Sequence, residues 1–194
     1  MITNWDRGAW MFDCYGSCCV IYIQKATLDD WEKVITFLNE NDSLVFEVYN
    51  YEDFDPCKTA NQIDREFVFQ WLNNPPEIDE YYGEVHLNLN GLEFEFFFEL
   101  KDQMELRLQA GSVKSINDYK IVESLMMKLS TLLNRMVLMA YEGEVEFPLI
   151  KVDVRRGMIK VIDKKQYENR FETLRYRIKS FYFRFLQRFF RKKP

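Results

Sequence analysis

His86 is the one histidine of the 194-residue chain, and the first residue type to consider for acid-base chemistry. It lies in an alternating stretch, Glu84-Val-His-Leu-Asn-Leu, that precedes Asn90-Gly91, and a second alternating stretch starts at Leu92. If Asn90-Gly91 is a two-residue turn, His86 falls beside Glu95, and a carboxylate there favours the imidazolium form. No serine or cysteine is tied to His86 by a motif, so a surface ion pair is the plainer reading and an enzyme with an acid/base site near His86 the weaker one. Carboxylate pairs such as Glu93 with Glu95, or Glu99 with Glu105, have the chemistry for acid-base work on a sugar. On an open sheet, however, they lack the cleft that raises one of the two pKa values. The four cysteines, Cys14, Cys18, Cys19 and Cys57, contain no Cys-x-x-Cys pair. With one histidine, a zinc site would need carboxylates to complete it, and reduced thiols in a cytoplasmic protein are the simpler expectation. There is no phosphate-cradling glycine loop, no dinucleotide fingerprint and no His-Glu-x-x-His. The sequence therefore implies no cofactor, no metal and no catalytic residue.

The elements that position these groups are legible from hydrophobic period. Residues Glu84 to Gln109 alternate apolar and polar positions, the mark of half-buried strands. A turn at Asn90-Gly91 places Leu89 opposite Leu92, Leu87 opposite Phe94 and Val85 opposite Phe96, all on one face. A further turn at Lys101-Asp102-Gln103 is expected to set Leu100 opposite Met104, Phe98 opposite Leu106, Glu99 opposite Glu105 and Phe97 opposite Arg107. One face of this meander is then apolar and aromatic. The other carries Glu93, Glu95, Glu99 and Glu105, with Phe97 and Arg107 near its middle. Like charges facing one another cost stability, so a face of this kind is either a solvated, aggregation-resistant surface or a docking surface for a basic partner. In the second case Phe97 would be an apolar anchor ringed by charge. A third possibility is that the basic C-terminal helix covers Phe97.

Around the meander the chain orders as β-α-β-α, then meander, α, hairpin and a terminal helix, with no internal repeat. Residues 1–16 are an irregular arm or a short strand. Cys18–Gln24 is a strand apolar on both sides. Thr27 caps a helix with Asp30 three residues on, and Leu28, Trp31, Ile35 and Leu38 form its buried stripe. Leu44–Tyr51 is a strand. Thr59 is the candidate cap of a second helix, with Ile63, Phe67 and Trp71 facing the core. Asn117 or Asp118 caps the longest internal helix, with a body from Tyr119 to Ala140 and Gly143 as its stop. Glu144–Val154 and Met158–Ile162 are strands around a tight turn at Arg155-Arg156-Gly157. Lys164–Lys193 is a basic amphipathic helix with Phe171, Leu174, Ile178, Phe181, Phe185 and Phe189 at helical spacing. The expected class is α+β: an antiparallel or mixed sheet on the central meander, with helices packed on one face.

The net charge of −5 conceals a split. Residues 163–194 hold eleven Lys/Arg against three Asp/Glu, so residues 1–162 carry a net charge of −13. This divides the chain into an acidic α+β domain, 1–162, and a basic helix, 163–194. The acidic body repels nucleic acid and makes it an improbable partner. The terminal stripe suits docking on the body, on a second copy in a homodimer, or on an anionic membrane surface. No segment has the length and apolarity of a transmembrane span, and no basic n-region precedes an apolar run at the start. The expected location is cytoplasmic, with membrane-peripheral attachment as the alternative.

The acidic meander (Glu93, Glu95, Phe97, Glu99, Glu105) and the acidic loops at Asp53, Asp55, Asp79 and Glu80 resemble, in composition, the small aromatic-rich α+β immunity proteins that protect bacteria from polymorphic or contact-delivered toxins. The resemblance covers the body to about Ile162, and the basic tail departs from it. It implies a non-enzymatic inhibitor that binds a basic toxin domain and blocks its active site. The expected partner surface is Glu93, Glu95, Phe97, Glu99, Glu105 and Arg107. A peripheral membrane protein anchored by residues 164–193 is the alternative.

Overall fold

The computed structural model describes residues 3–13, 17–40, 44–49, 59–60, 63–73 and 84–170. Its strands are Cys18–Gln24 (β1), Leu44–Tyr49 (β2), Thr59–Ala60 (β3), Glu84–Leu89 (β4), Leu92–Leu100 (β5), Gln103–Gln109 (β6), Val137–Tyr141 (β7), Ile150–Asp153 (β8) and Met158–Val161 (β9). The helices are Asn4–Gly8 (α1), Leu28–Asn39 (α2), Arg65–Asn73 (α3) and Ile116–Leu133 (α4). The strands form one sheet in the order β3-β2-β4-β5-β6-β1-β7-β8-β9. Among the described residues each pairing is antiparallel. The class is α+β.

The β4–β5 hairpin has the expected register, with Leu89 opposite Leu92, Leu87 opposite Phe94 and Val85 opposite Phe96. Asn90 and Gly91 take φ of 52° and 88°, as a tight turn between twisted strands requires. The β5–β6 register differs from the expected one. The turn is shorter, so Leu100 faces Gln103, and an irregularity follows between Phe97 and Leu100. Beyond it Phe97 faces Glu105, Phe96 faces Leu106 and Glu95 faces Arg107. A bulge adds one residue to one strand, which alternation alone does not reveal. It leaves Leu100 49% exposed instead of in the core.

β1 sits between β6 and β7, and its two-sided apolar sequence explains that central place. Cys19, Ile21 and Ile23 point into the main core, while Val20 and Tyr22 join a smaller cluster with Leu138 and Ala140 on the other face. On the inner face Trp31 is fully buried against Phe96 and Phe98, with ring centroids at 5.5 and 6.1 Å. Its indole Nε1 donates to the Lys101 carbonyl at 2.9 Å, tying α2 to the β5–β6 turn. α2 and α4 pack on one another, α3 lies against β5, and α4 against β7 and β8. The helices thus cover one face, which segregates the apolar stripe of each from water.

Local chemistry sets the helix ends. Thr27 caps α2 in a capping box: its hydroxyl accepts from the Asp30 N–H, and Asp30 accepts from the Thr27 N–H at 2.8 Å. The N-cap of α4 is Ser115, not Asn117 or Asp118; Asp118 accepts from the Ser115 hydroxyl at 2.9 Å and the Lys114 N–H at 3.0 Å. The helix stops at Leu133 because Asn134 turns left-handed, with φ of 50°. Buried Ser130 secures that exit, donating to the Arg135 carbonyl at 2.6 Å and accepting from the Val154 N–H at 3.1 Å. The run Val137–Ala140, expected as helix, is therefore strand. A short apolar run has no period of its own, and its place beside β1 decides the conformation.

Three further expectations change. Thr59 lies in β3, paired with β2, and α3 begins at Arg65, where the Asp64 carboxylate accepts from the Glu66 N–H at 2.9 Å. Its buried residues include Val68 and Leu72, with Ile63 just before the helix. The Phe67 and Trp71 side chains, and residues 50–51, lie outside the described set. In the N-terminal arm, the described residues 3–13 are neither irregular nor a strand. Thr3 caps α1, a 3-10 turn follows over Ala9–Phe12, and Met11 and Phe12 enter the core. Within 144–154 only Ile150–Asp153 is strand; Pro148 lies in the connection before it. The Val154–Arg156 turn with left-handed Gly157 matches the expected tight turn, and β9 follows it.

Residues 164–170 are helical, opened by Asp163, which accepts from the Gln166 N–H at 2.8 Å. Tyr167 packs on Trp10 and Tyr141 at 5.3 and 5.8 Å, and its hydroxyl donates to Glu144 at 2.7 Å. The remainder of the expected terminal helix, with Phe171, Leu174, Ile178, Phe181, Phe185 and Phe189, lies outside the described residues. Among the described residues no helix is long and apolar enough to cross a membrane.

Candidate functional site

The period of two sends alternate residues of the meander to the face opposite the helices. Register places Glu95, Arg107 and Val20 in one row across β5, β6 and β1, and Phe97, Glu105 and Tyr22 in the next. Glu93 and His86 continue this face on β5 and β4. The sheet thus brings Glu93, Glu95, Phe97, Glu105 and Arg107 together. The pairings are not those expected: Arg107 faces Glu95, and Phe97 faces Glu105. The Glu99 side chain lies outside the described set, as do the acidic loops at Asp53, Asp55, Asp79 and Glu80.

Arg107 is the hub. Its guanidinium lies 4.3 Å from the centre of the Phe97 ring, the geometry of a cation–π contact. One terminal nitrogen reaches Glu142 at 2.7 Å and the other lies 3.6 Å from Glu95, while Nε is buried without a hydrogen-bond acceptor. Phe97 is 6% exposed beneath this cation. It is therefore a platform that holds Arg107; the open apolar anchor was one of the three readings that the sequence left for it. Glu105 accepts from the Gln103 amide at 2.5 Å.

Neighbouring groups feel the same acid. Burial pushes the Tyr22 phenol above its ordinary value, with Glu105 adding to the rise. Its oxygen accepts from the Gly143 N–H at 3.3 Å. Burial first, and then Glu142, raises the Cys18 thiol, which accepts from the Gln109 amide at 3.2 Å. A raised pKa leaves less thiolate and works against nucleophilic use of Cys18. His86, half-buried, lies opposite Glu95 of β5 on one side and Glu47 of β2 on the other. Among the described residues no group of three or more His, Cys, Asp or Glu is arranged to hold a metal ion.

Glu142, Tyr22 and Cys18 did not emerge from the sequence as members of this face. Glu142 arrives through β7, a stretch whose period reads as helix. The signal for the other two was present in β1: a strand apolar on both sides needs a neighbour on each edge.

Toward β7 the face becomes apolar. Val20 and Ala140 are fully buried, Tyr22 and Leu138 nearly so, and Val145 from the β7–β8 connection packs over them. The outer face is thus charged over the meander and covered by chain beyond it. Compared with protein-family models, curated proteins and solved structures, the chain shows no match.

Proposed function

We propose that this chain is a non-enzymatic binding protein that takes a basic protein partner on the outer face of its meander, in the manner of an immunity protein neutralising a toxin domain. The observation that supports the reading is the gathering of Glu93, Glu95, Glu105 and Glu142 on the face that holds the Arg107 guanidinium. Carboxylates gathered on a broad β face attract a positively charged surface from a distance and set its orientation on arrival. A partner's arginine competes with Arg107 for Glu95 and Glu142. Glu93, exposed at the margin, meets the partner first. Phe97 keeps the face level and fixes Arg107, so contact is polar and fast-forming, with little apolar insertion.

The test is titration calorimetry of the full chain against a basic polypeptide probe, poly-L-lysine, with the Glu93→Arg/Glu95→Arg double variant for comparison. The reading expects affinity to fall by about a hundredfold, with a steep dependence on ionic strength. Equal affinity of variant and parent, with both folded by circular dichroism, removes the meander as the docking face.

A further inference from the structure

On the helical side of the molecule lies a second surface of opposite charge. The C-terminal part of α2, the β4–β5 turn and one flank of α4 enclose an open groove of about 210 Å³. Its floor is apolar: Leu89 and Leu125 are buried, and Phe37 and Ile121 pack partly buried against the core. Lys120 and Lys128 stand exposed at its two ends, with exposed Ser124 midway between them.

The acidic residues of α4 do not neutralise these lysines. Asp118 is engaged by Ser115 and Lys114, and Glu123 accepts from the Tyr119 hydroxyl at 3.1 Å and the Asn4 amide at 2.9 Å. Among the described residues neither Lys120 nor Lys128 forms an ion pair. Two cations flanking an apolar trough persist in a domain whose residues 1–162 carry a net charge of −13.

We infer that this groove is a docking site for an acidic, extended peptide segment of a partner protein, with the pattern acid–x–apolar–x–acid. The spacing supplies the pattern. Lys120 and Lys128 are eight residues apart on one helix, roughly 12 Å along its axis, with Ser124 at the midpoint. In an extended strand, residues i, i+2 and i+4 point the same way and span roughly 13 Å. Carboxylates at i and i+4 then meet the two lysines, while the residue at i+2 settles over Phe37, Ile121 and Leu125. The space admits one large apolar side chain. A docked helix would set three apolar anchors, at i, i+3 or i+4, and i+7, within roughly 10 Å, and the groove has space for one. The site is independent of the outer-face proposal and selects a partner of opposite charge.

The experiment uses the full chain and a fluorescein-labelled peptide, Gly-Glu-Ser-Leu-Ser-Glu-Gly, read by anisotropy at low ionic strength. Saturable binding is expected, weakened at least about tenfold by Lys120→Glu/Lys128→Glu and more mildly by Lys120→Gln/Lys128→Gln. A peptide with glutamine in place of both glutamates, or serine in place of leucine, should bind far more weakly. Glu93→Arg/Glu95→Arg should leave this binding unchanged, which separates failure of the groove from failure of the meander face. The inference is overturned if the glutamine peptide binds equally well, or if charge reversal at the lysines changes nothing. It is also overturned if phosphatidylglycerol vesicles bind through Lys120 and Lys128 while the peptide does not, since the groove would then serve a lipid surface.

Discussion

The two faces of the sheet are built on opposite principles. The inner face is held by volume: Phe94, Phe96, Phe98 and Trp31 fill space between sheet and helices with almost no exposed area. The outer face over the meander is held by charge balance. One guanidinium, seated on Phe97, joins Glu95 to Glu142 and keeps β6 and the end of β7 compatible. Burial of large side chains is worth several kcal/mol each, and partly exposed ion pairs are worth about one or less. The difference teaches that stability resides on the inner face, which frees the outer face to carry a costly accumulation of acid.

The comparison can be broken most forcefully at Trp31. Trp31→Ala empties the space beside Phe96 and Phe98 and orphans the Lys101 carbonyl, so about 3–5 kcal/mol of unfolding free energy should be lost in a urea titration. An outer-face variant that costs as much would show the two faces to be equally structural. Ser130→Ala is next. It leaves the Val154 N–H and the Arg135 carbonyl without their shared hydroxyl, at a cost of about 1–3 kcal/mol by the same measurement. That loss would show that the α4–β7 junction, and not propensity, ends the helix.

On the outer face, Arg107→Met should cost about 1 kcal/mol, because the cation–π contact and both ion pairs go together. Adding Glu95→Gln should recover part of that loss, since it removes one of the carboxylates left facing the other. A double-mutant cycle reads this coupling directly.

The smallest effect is a pH dependence at Asp153, on the same face of β8 as Lys151. Hydrogen bonds from Arg155 to both carboxylate oxygens, each 3.0 Å, hold the Asp153 carboxyl below its ordinary 3.8. A folded-state pKa below the unfolded one contributes stability that is complete above the unfolded value and lost as pH falls through the folded value. Thermal midpoints of the parent should fall more steeply than those of Asp153→Asn as pH drops below about 4. Parallel curves would show that the arginine pair contributes nothing.

Much of the fold is legible before any coordinates. The capping box at Thr27, the Asn90-Gly91 turn and the alternation of β4 to β6 are local codes, satisfied within a few residues of chain. The α+β class follows from their order. The same alternation places the carboxylates and Arg107 on one face, because a slip of two residues in register keeps every side chain on its side. That is why the composition of the candidate site was readable while its pairings were not: the shorter turn and the bulge between Phe97 and Leu100 together moved each partner by two positions.

Three features waited for the tertiary structure. Val137–Ala140 took the form of a strand because β1 offered an open edge and Ser130 with Asn134 closed the preceding helix. Phe97 became the seat of a guanidinium because Arg107 and Glu142, thirty-five residues apart, were drawn together by strands that flank β1. The Lys120–Lys128 groove formed where α4 passed the β4–β5 turn. Local sequence carries the information for caps, turns and strand period, since those depend on neighbours in the chain. It carries far less about which apolar run will pair with which, or which charges will meet. Those outcomes depend on contacts between distant segments, and only the assembled sheet selects among them.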